Sequence, residues 1–119
     1  MTKAEFIKRA NSGCAHQSKE GKAVSDLIAV TTDPEKKAQL YIDRALPLFD
    51  KEIDRIAKLK PPKADRDAVK KMLDQARDDS KNFAKALKDN PETALSPAAK
   101  PFGKSGILAK QYGLKFCAD

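Results

Sequence analysis

The sequence predicts an all-helical protein, an antiparallel up-down-up-down four-helix bundle whose second helix bends at Pro47. Three observations predict this class. Of the 119 residues 40% are hydrophobic and 6% aromatic, and the frequent Ala and Lys lose little side-chain entropy in a helix. Apolar residues recur at alternating steps of three and four. Proline-containing corners divide the chain into four stretches, and without a linker-like interruption residues 1–119 are expected to form one domain.

The first helix is expected over residues 2–31. Thr2 and Glu5 have the spacing of a capping box, which satisfies free amides at a helix start. Gly13 and Gly21 weaken the middle of this stretch, so we expect a kinked or closely packed helix there, with a broken helix as the alternative. The inward stripe contains Ile7, Ala10, Cys14, Gln17, Gly21, Val24 and Ile28.

The second helix is expected over residues 34–59. Thr32 or Asp33 caps it, and Pro34 occupies the first turn, where its missing N–H costs nothing. Pro47 removes the backbone hydrogen bond to the carbonyl of Asp43, which predicts the bend. The inward stripe contains Ala38, Ile42, Ala45, Phe49, Ile53, Ile56 and Leu59.

The third helix is expected over residues 62–88, after the Pro61-Pro62 corner. Asn90 is predicted to take a left-handed cap, and Pro91 to forbid continuation. The inward positions are Val69, Met72, Leu73, Ala76, Ser80, Phe83 and Leu87.

The fourth helix is expected to begin at Ser96-Pro97 and to end at Gly113, leaving a short extended tail. Its entry is rich in proline and its pattern is the least regular of the four. The expected inward positions are Ala98, Phe102, Ser105, Ala109 and Tyr112.

The chain has two cysteines, Cys14 and Cys117. In an up-down-up-down bundle the first helix begins at the end where the fourth helix stops, so a disulfide between them is expected. Two buried free thiols are the alternative. A disulfide indicates an oxidising compartment. We therefore expect an extracytoplasmic protein that is secreted or anchored. On this expectation the sequence is a mature domain without its signal segment, and it contains no apolar run long enough to span a membrane.

Four short motifs follow one another along the chain. They are Phe6-Ile7-Lys8-Arg9-Ala10 with Cys14, Arg44-Ala45-Leu46-Pro47, residues 56–59 followed by Pro61-Pro62 and Asp65-Arg66-Asp67-Ala68-Val69, and Tyr112-Gly113-Leu114-Lys115-Phe116-Cys117. Together they resemble a family of small exported or lipoprotein-anchored actinobacterial helical proteins, mostly uncharacterised. The resemblance spans nearly the whole chain, implies export and a Cys14–Cys117 disulfide, allows a lipid anchor upstream, and supplies no activity. The Gly- and Ser-containing middle of the first helix and the Pro-rich entry to the fourth depart from the family pattern.

No catalytic, metal or cofactor site is expected. His16 is the only histidine. Cys14 lies two positions before it and so faces another side of a helix, and no Cys-x-x-Cys exists to complete a zinc site. Haem ligation by His16 and Met72 is rejected because an attachment motif is missing. The aspartates Asp74, Asp78 and Asp79 alternate with basic residues, which is typical of a solvated face.

Two candidate binding features remain. One is a basic ridge on the third helix, suited to anions. The other is a pocket where small residues face the bend, with close packing of the helices as the alternative. The ridge consists of Lys70, Arg77, Lys81 and Lys88, and the pocket of Ala10, Gly13, Gln17, Gly21 and Pro47.

The sequence therefore predicts a non-enzymatic exported binding or interaction module, in the cell envelope or secreted, whose ligand is a protein or small molecule of unknown identity. The net charge of +7 is spread along the chain, so a nucleic-acid partner is not expected. The alternatives are a purely structural envelope domain without a specific ligand, or a basic-surface module that binds anionic polymers or nucleic acid.

Overall fold

The computed structural model of the protein describes residues 1–12 and 19–114, and within these ranges the backbone forms helices and turns without a strand. The all-helical prediction is therefore confirmed. A π-helical segment, Tyr41–Ala45, joins the third helix to the fourth, and a 3-10 turn, Lys63–Asp65, precedes the fifth. The α-helices are α1 (Lys3–Ser12), α2 (Lys19–Val30), α3 (Pro34–Leu40), α4 (Leu46–Ala57), α5 (Arg66–Asp89), α6 (Pro91–Ala94) and α7 (Gly103–Tyr112).

Helix α1 begins at the predicted cap, since the hydroxyl of Thr2 accepts the N–H of Glu5 at 3.1 Å. The helix buries Phe6 and Ala10. Phe6 was absent from the predicted stripe, which instead contained its neighbour Ile7, now half-buried. A helix turns by about 100° per residue, so the inward direction of α1 lies between these two neighbours, and the larger ring takes the enclosed position.

Helix α2 buries Gly21, Val24 and Ile28, as its part of the stripe predicts. It packs against the π-helical segment and α3. The predicted inward residues Cys14 and Gln17 lie outside the described residues, and so does the centre of the predicted kink.

The start of the second predicted helix is confirmed at Asp33, whose carboxylate accepts the N–H of Lys36 at 3.0 Å. Pro34 occupies the first turn. The disturbance predicted at Pro47 takes the form of the π-helical segment that precedes it. There the N–H of Leu46 donates to the carbonyl of Tyr41, five residues earlier. The wider turn shifts the hydrogen-bond register just before the proline, which has no N–H to contribute.

Helices α4 and α5 run antiparallel and form the centre of the fold. Asp50 contacts Ser80 and Asp54 contacts Arg77, so ascending positions on α4 meet descending positions on α5. All seven predicted inward positions of α5 are buried, which confirms the helical period assigned to this stretch.

The end of α5 corrects one prediction. Asn90 is not left-handed: its backbone is extended, with φ −152° and ψ 84°. Its side chain accepts the N–H of Thr93 at 3.3 Å, and Pro91 is the first residue of the short α6. Proline thus begins a new turn here, because the first helical N–H is unpaired in any case.

The last helix begins later than predicted. Ser96 and Pro97 lie in turns and Ala98 is exposed, while α7 starts only at Gly103. The predicted end at Gly113 is confirmed, with φ 105°. Leu114, expected to open an extended tail, instead donates its N–H to the carbonyl of Ala109 at 2.8 Å and is buried, which completes a Schellman motif.

The core consists of two apolar clusters. The first joins α1, the second half of α4, the first half of α5 and α7, and the second joins α3, α6 and the other ends of α4 and α5. Phe49, packed on the first cluster, and Phe102, packed on the second, meet with ring centroids 4.7 Å apart. The first cluster contains Phe6, Ala10, Ile53, Ile56, Val69, Met72, Leu73, Ala76, Ala109 and Leu114, and the second contains Ala38, Leu46, Phe83, Leu87 and Ala94.

Asp79 lies between the two clusters and corrects the solvated face predicted for it, whereas Asp74 and Asp78 are exposed as predicted. It is only 5% exposed. Its carboxylate accepts the backbone N–H of Ser105 at 3.0 Å and the amide of Gln75 at 2.9 Å. Ser105 is in the first turn of α7, and Phe102, at the N-cap position, provides no side-chain cap. Asp79 therefore caps α7 from the neighbouring helix, with a negative charge at the positive end of the helix dipole.

Arg55 caps the carbonyl end of α1, as Asp79 caps the amide end of α7. Its guanidinium donates to the carbonyls of Arg9 at 3.1 Å and Ala10 at 2.7 Å, which belong to the last turn of α1. The buried carboxylate of Glu52 holds the guanidinium through two contacts of 2.6 and 3.0 Å. Both contacts favour the cation, and the hydrogen bond to Glu52 raises the pKa of Arg55 above its ordinary value. A positive charge at the carbonyl end completes the match to the helix dipole.

Replacement of Asp79 tests the capping contact. We expect Asp79→Ala to lower the free energy of unfolding by about 2–3 kcal/mol, because it leaves the buried N–H of Ser105 and the partly buried amide of Gln75 without an acceptor. Asp79→Asn, which keeps an oxygen but not the charge, is expected to have a smaller effect. Urea denaturation followed by circular dichroism measures both.

The matched control is Asp78→Ala, a change of the exposed neighbour that should alter the free energy of unfolding by no more than about 0.5 kcal/mol. Equal effects at positions 78 and 79 would contradict a role for the cap.

Candidate functional site

A groove opens between the π-helical segment and α4 on one side and α5 on the other, with a volume of about 340 Å³. Because the two helices are antiparallel, the apolar residues Ile42, Leu46 and Pro47 lie opposite Ala84. The polar residues Asp50, Asp54, Arg77 and Ser80 lie together towards the other end, and Lys81 lies between. The groove therefore has an apolar end and a charged end.

Most charges at the polar end are already paired. Asp54 accepts Arg77 at 3.2 Å, and Asp50 accepts the hydroxyl of Ser80 at 3.1 Å. Lys81 is exposed and has no ion pair within the described part of the chain. Its ammonium group is therefore the available cation at this groove for a negatively charged ligand.

The groove lies beside the π-helical segment, a type of distortion that is frequent at functional sites. The insertion of one residue into the turn moves Leu46 and Pro47 relative to the regular helix. Ser80 and Ala84 on the facing helix are small. Because these short side chains face a displaced turn, they leave a space that larger residues would fill.

Two of the four residues of the predicted basic ridge form ion pairs with carboxylates. Lys70 contacts Asp74 at 2.8 Å, and Arg77 contacts Asp74 at 3.6 Å in addition to Asp54. The hydrogen bond from Lys70 holds the pKa of Asp74 below its ordinary value and raises that of Lys70. Lys81 and Lys88 are exposed. Of the four ridge residues, Lys81 is the one that lines the groove without an ion pair in the described part of the chain. Lys70 thus pairs with Asp74 on the same helix, whereas Asp54 reaches across to Arg77.

The residues of the predicted pocket are not all brought together. Pro47 lines the groove, whose lining includes neither Ala10 nor Gly21. Ala10 is buried in the first apolar cluster and Gly21 is buried on α2. Gly13 and Gln17 lie outside the described residues, so the predicted pocket stays a prediction.

Within residues 1–12 and 19–114, none of the helices combines the length and the hydropathy needed to cross a bilayer. The same residues contain no group of three or more His, Cys, Asp or Glu side chains placed to hold a metal ion. His16, Cys14 and Cys117 lie outside them.

No protein-family model, curated protein or solved structure matches this chain. The resemblance to exported actinobacterial proteins therefore stays a prediction, and functional arguments rest on the residues themselves.

A second cluster ties the start of the chain to the end of α7. Tyr112 donates its hydroxyl to Asp65 at 2.9 Å, meets the Phe6 ring edge-on at 6.0 Å between centroids, and lies 4.6 Å from the ammonium of Lys3. Next to it, the amide of Asn11 donates to the carbonyl of Gly113 at 3.5 Å. These contacts bring the ends of α1 and α7 side by side.

The sequence signals for these features were present but incomplete. Pro47 indicated a disturbed helix, but periodicity cannot show that the disturbance is a π turn before the proline. Asp79 lies three residues after the buried Ala76 and four before the buried Phe83. That spacing is compatible with burial, but acidic residues are rarely placed inside without a known partner.

The surroundings of Tyr112 predict a pH dependence. Burial, reinforced by the hydrogen bond to Asp65 and by its negative charge, raises the pKa of Tyr112 from 10.0 to about 12. The folded state thus favours the neutral phenol. Its contribution to stability is fully present below pH 10 and is lost as the pH rises through about 12.

Ultraviolet titration of the phenolate should show one tyrosine near pH 12, and Tyr112→Phe should remove that transition. The variant should also lose stability less steeply than the parent protein between pH 10 and 12. Tyr41→Phe is the control. If the late transition disappears in Tyr41→Phe and persists in Tyr112→Phe, the assignment is wrong.

Proposed function

We propose that this chain is an exported helical binding module without enzymatic activity, and that the groove between α4 and α5 is its binding site. The observation that carries the proposal is the groove itself, with an apolar end at Ile42, Leu46 and Pro47 and an unpaired Lys81 beside it. Small-molecule sites are mostly apolar concave surfaces with a few well-placed polar groups.

The ligand that fits this chemistry is a small carboxylate with an aliphatic chain. The chain would lie on the apolar end opposite Ala84, and the carboxylate would contact Lys81. The carboxylates of Asp50 and Asp54 already accept Ser80 and Arg77, and their negative charge disfavours a second anion deeper in the groove. The ligand is therefore expected to carry one charge, at the level of Lys81.

The four-helix topology belongs to the same proposal. The antiparallel contacts of α4 with α5 support it, as do those of α5 with α7, where Ser105 meets Asp79 and Tyr112 meets Asp65. In this arrangement α1 and α2 belong to the first arm, the chain from α3 to α4 is the second, α5 the third and α7 the fourth.

A Cys14–Cys117 disulfide is part of the export proposal. Cys14 follows Asn11 by three positions and Cys117 follows Gly113 by four, and Asn11 donates to the carbonyl of Gly113. A segment of three or four residues spans at most about 10–14 Å, so this contact between described residues is compatible with a bridge between positions 14 and 117. A bridge between distant parts of a chain is typical of oxidising compartments.

Octanoate is a suitable probe for the groove, with octanol as its uncharged counterpart. In two-dimensional NMR we expect octanoate to shift the amides of residues 42–54 and 77–84, and Lys81→Gln to weaken its binding about fivefold. Ala84→Leu, which fills the apolar end, should weaken octanoate and octanol alike.

The control is Lys71→Gln, which removes the same charge from another face of α5. Shifts spread over the whole surface, or an equal loss of affinity in Lys71→Gln and Lys81→Gln, would reject the groove as the binding site.

The disulfide is tested on protein purified without reductant from an oxidising host compartment. We expect no thiol to react after denaturation, and a protease digest to contain one cross-linked pair of peptides bearing residues 14 and 117. Removal of the bridge in the Cys14→Ser/Cys117→Ser double variant should lower the free energy of unfolding by about 2–4 kcal/mol. Two reactive thiols in the unreduced protein would overturn the bridge and, with it, the main support for export.

A further inference from the structure

The outward face of α7 is unusual for a helix in contact with water. Ile107 is 60% exposed in the middle of the helix, whereas Ser105 is 1% exposed. Ser105 and Ala109 are four positions apart and share the buried face. Ile107 is two residues from each and therefore points away from the protein. A branched apolar side chain thus faces solvent while a hydroxyl is inside.

The charged residues around Ile107 on this face are all cations. Residues 93–114 contain no Asp or Glu. Lys104 and Lys110 lie three positions on either side of Ile107 and so flank it on the same side of the helix. Lys100 precedes the helix, and all three lysines are exposed. None of the three forms an ion pair within the part of the chain that the structure describes.

Two carboxylates accept hydrogen bonds from α7 within the described residues, and neither neutralises this face. Asp79 accepts the N–H of Ser105 at the start of the helix, and Asp65 accepts the hydroxyl of Tyr112 at its end. Both are directed to the inner side of α7. Gly106, next to Ile107, has no side chain, and a Cβ built on it would meet nothing within 4 Å. Ile107, 60% exposed, is therefore not covered by this neighbour and can contact a partner.

We propose that the outward face of α7 docks on an anionic lipid bilayer. Ile107 enters the interface, while Lys100, Lys104 and Lys110 contact headgroup phosphates. A polyanion such as a nucleic acid would use the lysines alone, and the exposed isoleucine favours lipid. Insertion of an apolar side chain and attraction of lysines to anionic headgroups are the two contributions that hold proteins at a membrane interface.

This surface is separate from the groove. Asp79, which holds α7, lies two positions from Arg77 and two from Lys81, and so is on the opposite side of α5 from the groove. Failure of the groove proposal therefore leaves the lipid proposal intact, and the reverse also holds.

The test is co-sedimentation of the full chain with vesicles of mixed phosphatidylglycerol and phosphatidylcholine, compared with vesicles of phosphatidylcholine alone. We expect binding only to the anionic vesicles, and weaker binding at high salt. Lys104→Gln/Lys110→Gln should weaken it about 30-fold, since each lysine near an anionic surface contributes about one fivefold step. Ile107→Gln should weaken binding at both salt concentrations without removing the salt dependence.

The matched control is Lys71→Gln/Lys85→Gln, which removes the same charge from exposed positions of α5. Equal weakening by the two double variants would show attraction by net charge alone and would overturn the assignment to α7. Unchanged binding in Ile107→Gln, together with tighter binding to double-stranded DNA than to vesicles, would assign this face to a polyanion and overturn the lipid proposal. Thermal unfolding of each variant verifies that the fold is retained, and Lys81→Gln should bind vesicles as the parent protein does.

Discussion

The contact between the carboxylate of Asp79 and the N–H of Ser105 holds the last helix in place. α7 begins after Phe102, which supplies no cap of its own, and the buried acceptor on α5 fixes where the helix starts. From that point the helical rise places Ala109, and then Leu114 after Gly113, against the first apolar cluster. A charged group buried for this purpose is stabilising only because its oxygens are satisfied, one by Ser105 and the other by Gln75.

The hairpin of α4 and α5 acts as a scaffold that orders both ends of the chain. Its Arg55 holds the carbonyl end of α1 and its Asp79 holds the amide end of α7, each with the charge that suits the helix dipole. Short helices such as these are marginal in isolation. Their order therefore depends on the hairpin, and the ring contact of Phe6 with Tyr112 then joins them to each other.

The predictable part of this fold is the part where one helix face is apolar. On α5 the three- and four-residue spacing identified every inward apolar position, and Asp33 and Gly113 marked a helix start and a helix end through their local chemistry. The burial of Asp79 was not predictable in the same way, because its partner is a backbone amide 26 positions later. The start of α7 depends on that same contact. A prediction from the local sequence alone therefore placed the start of this helix too early, at Ser96.

The distribution of charge separates the two proposed surfaces. Where α4 and α5 lie side by side, one ion pair crosses between the helices, from Arg77 to Asp54, and exposed pairs of this kind add little stability. α7 has no acidic residues of its own, and the carboxylates that reach it are used at its ends. Lys100, Lys104 and Lys110 therefore form no ion pair among the described residues, and they lie near the exposed Ile107. The groove proposed as the ligand site lies on the opposite side of α5, so the proposed ligand and the proposed membrane contact would not compete for the same surface.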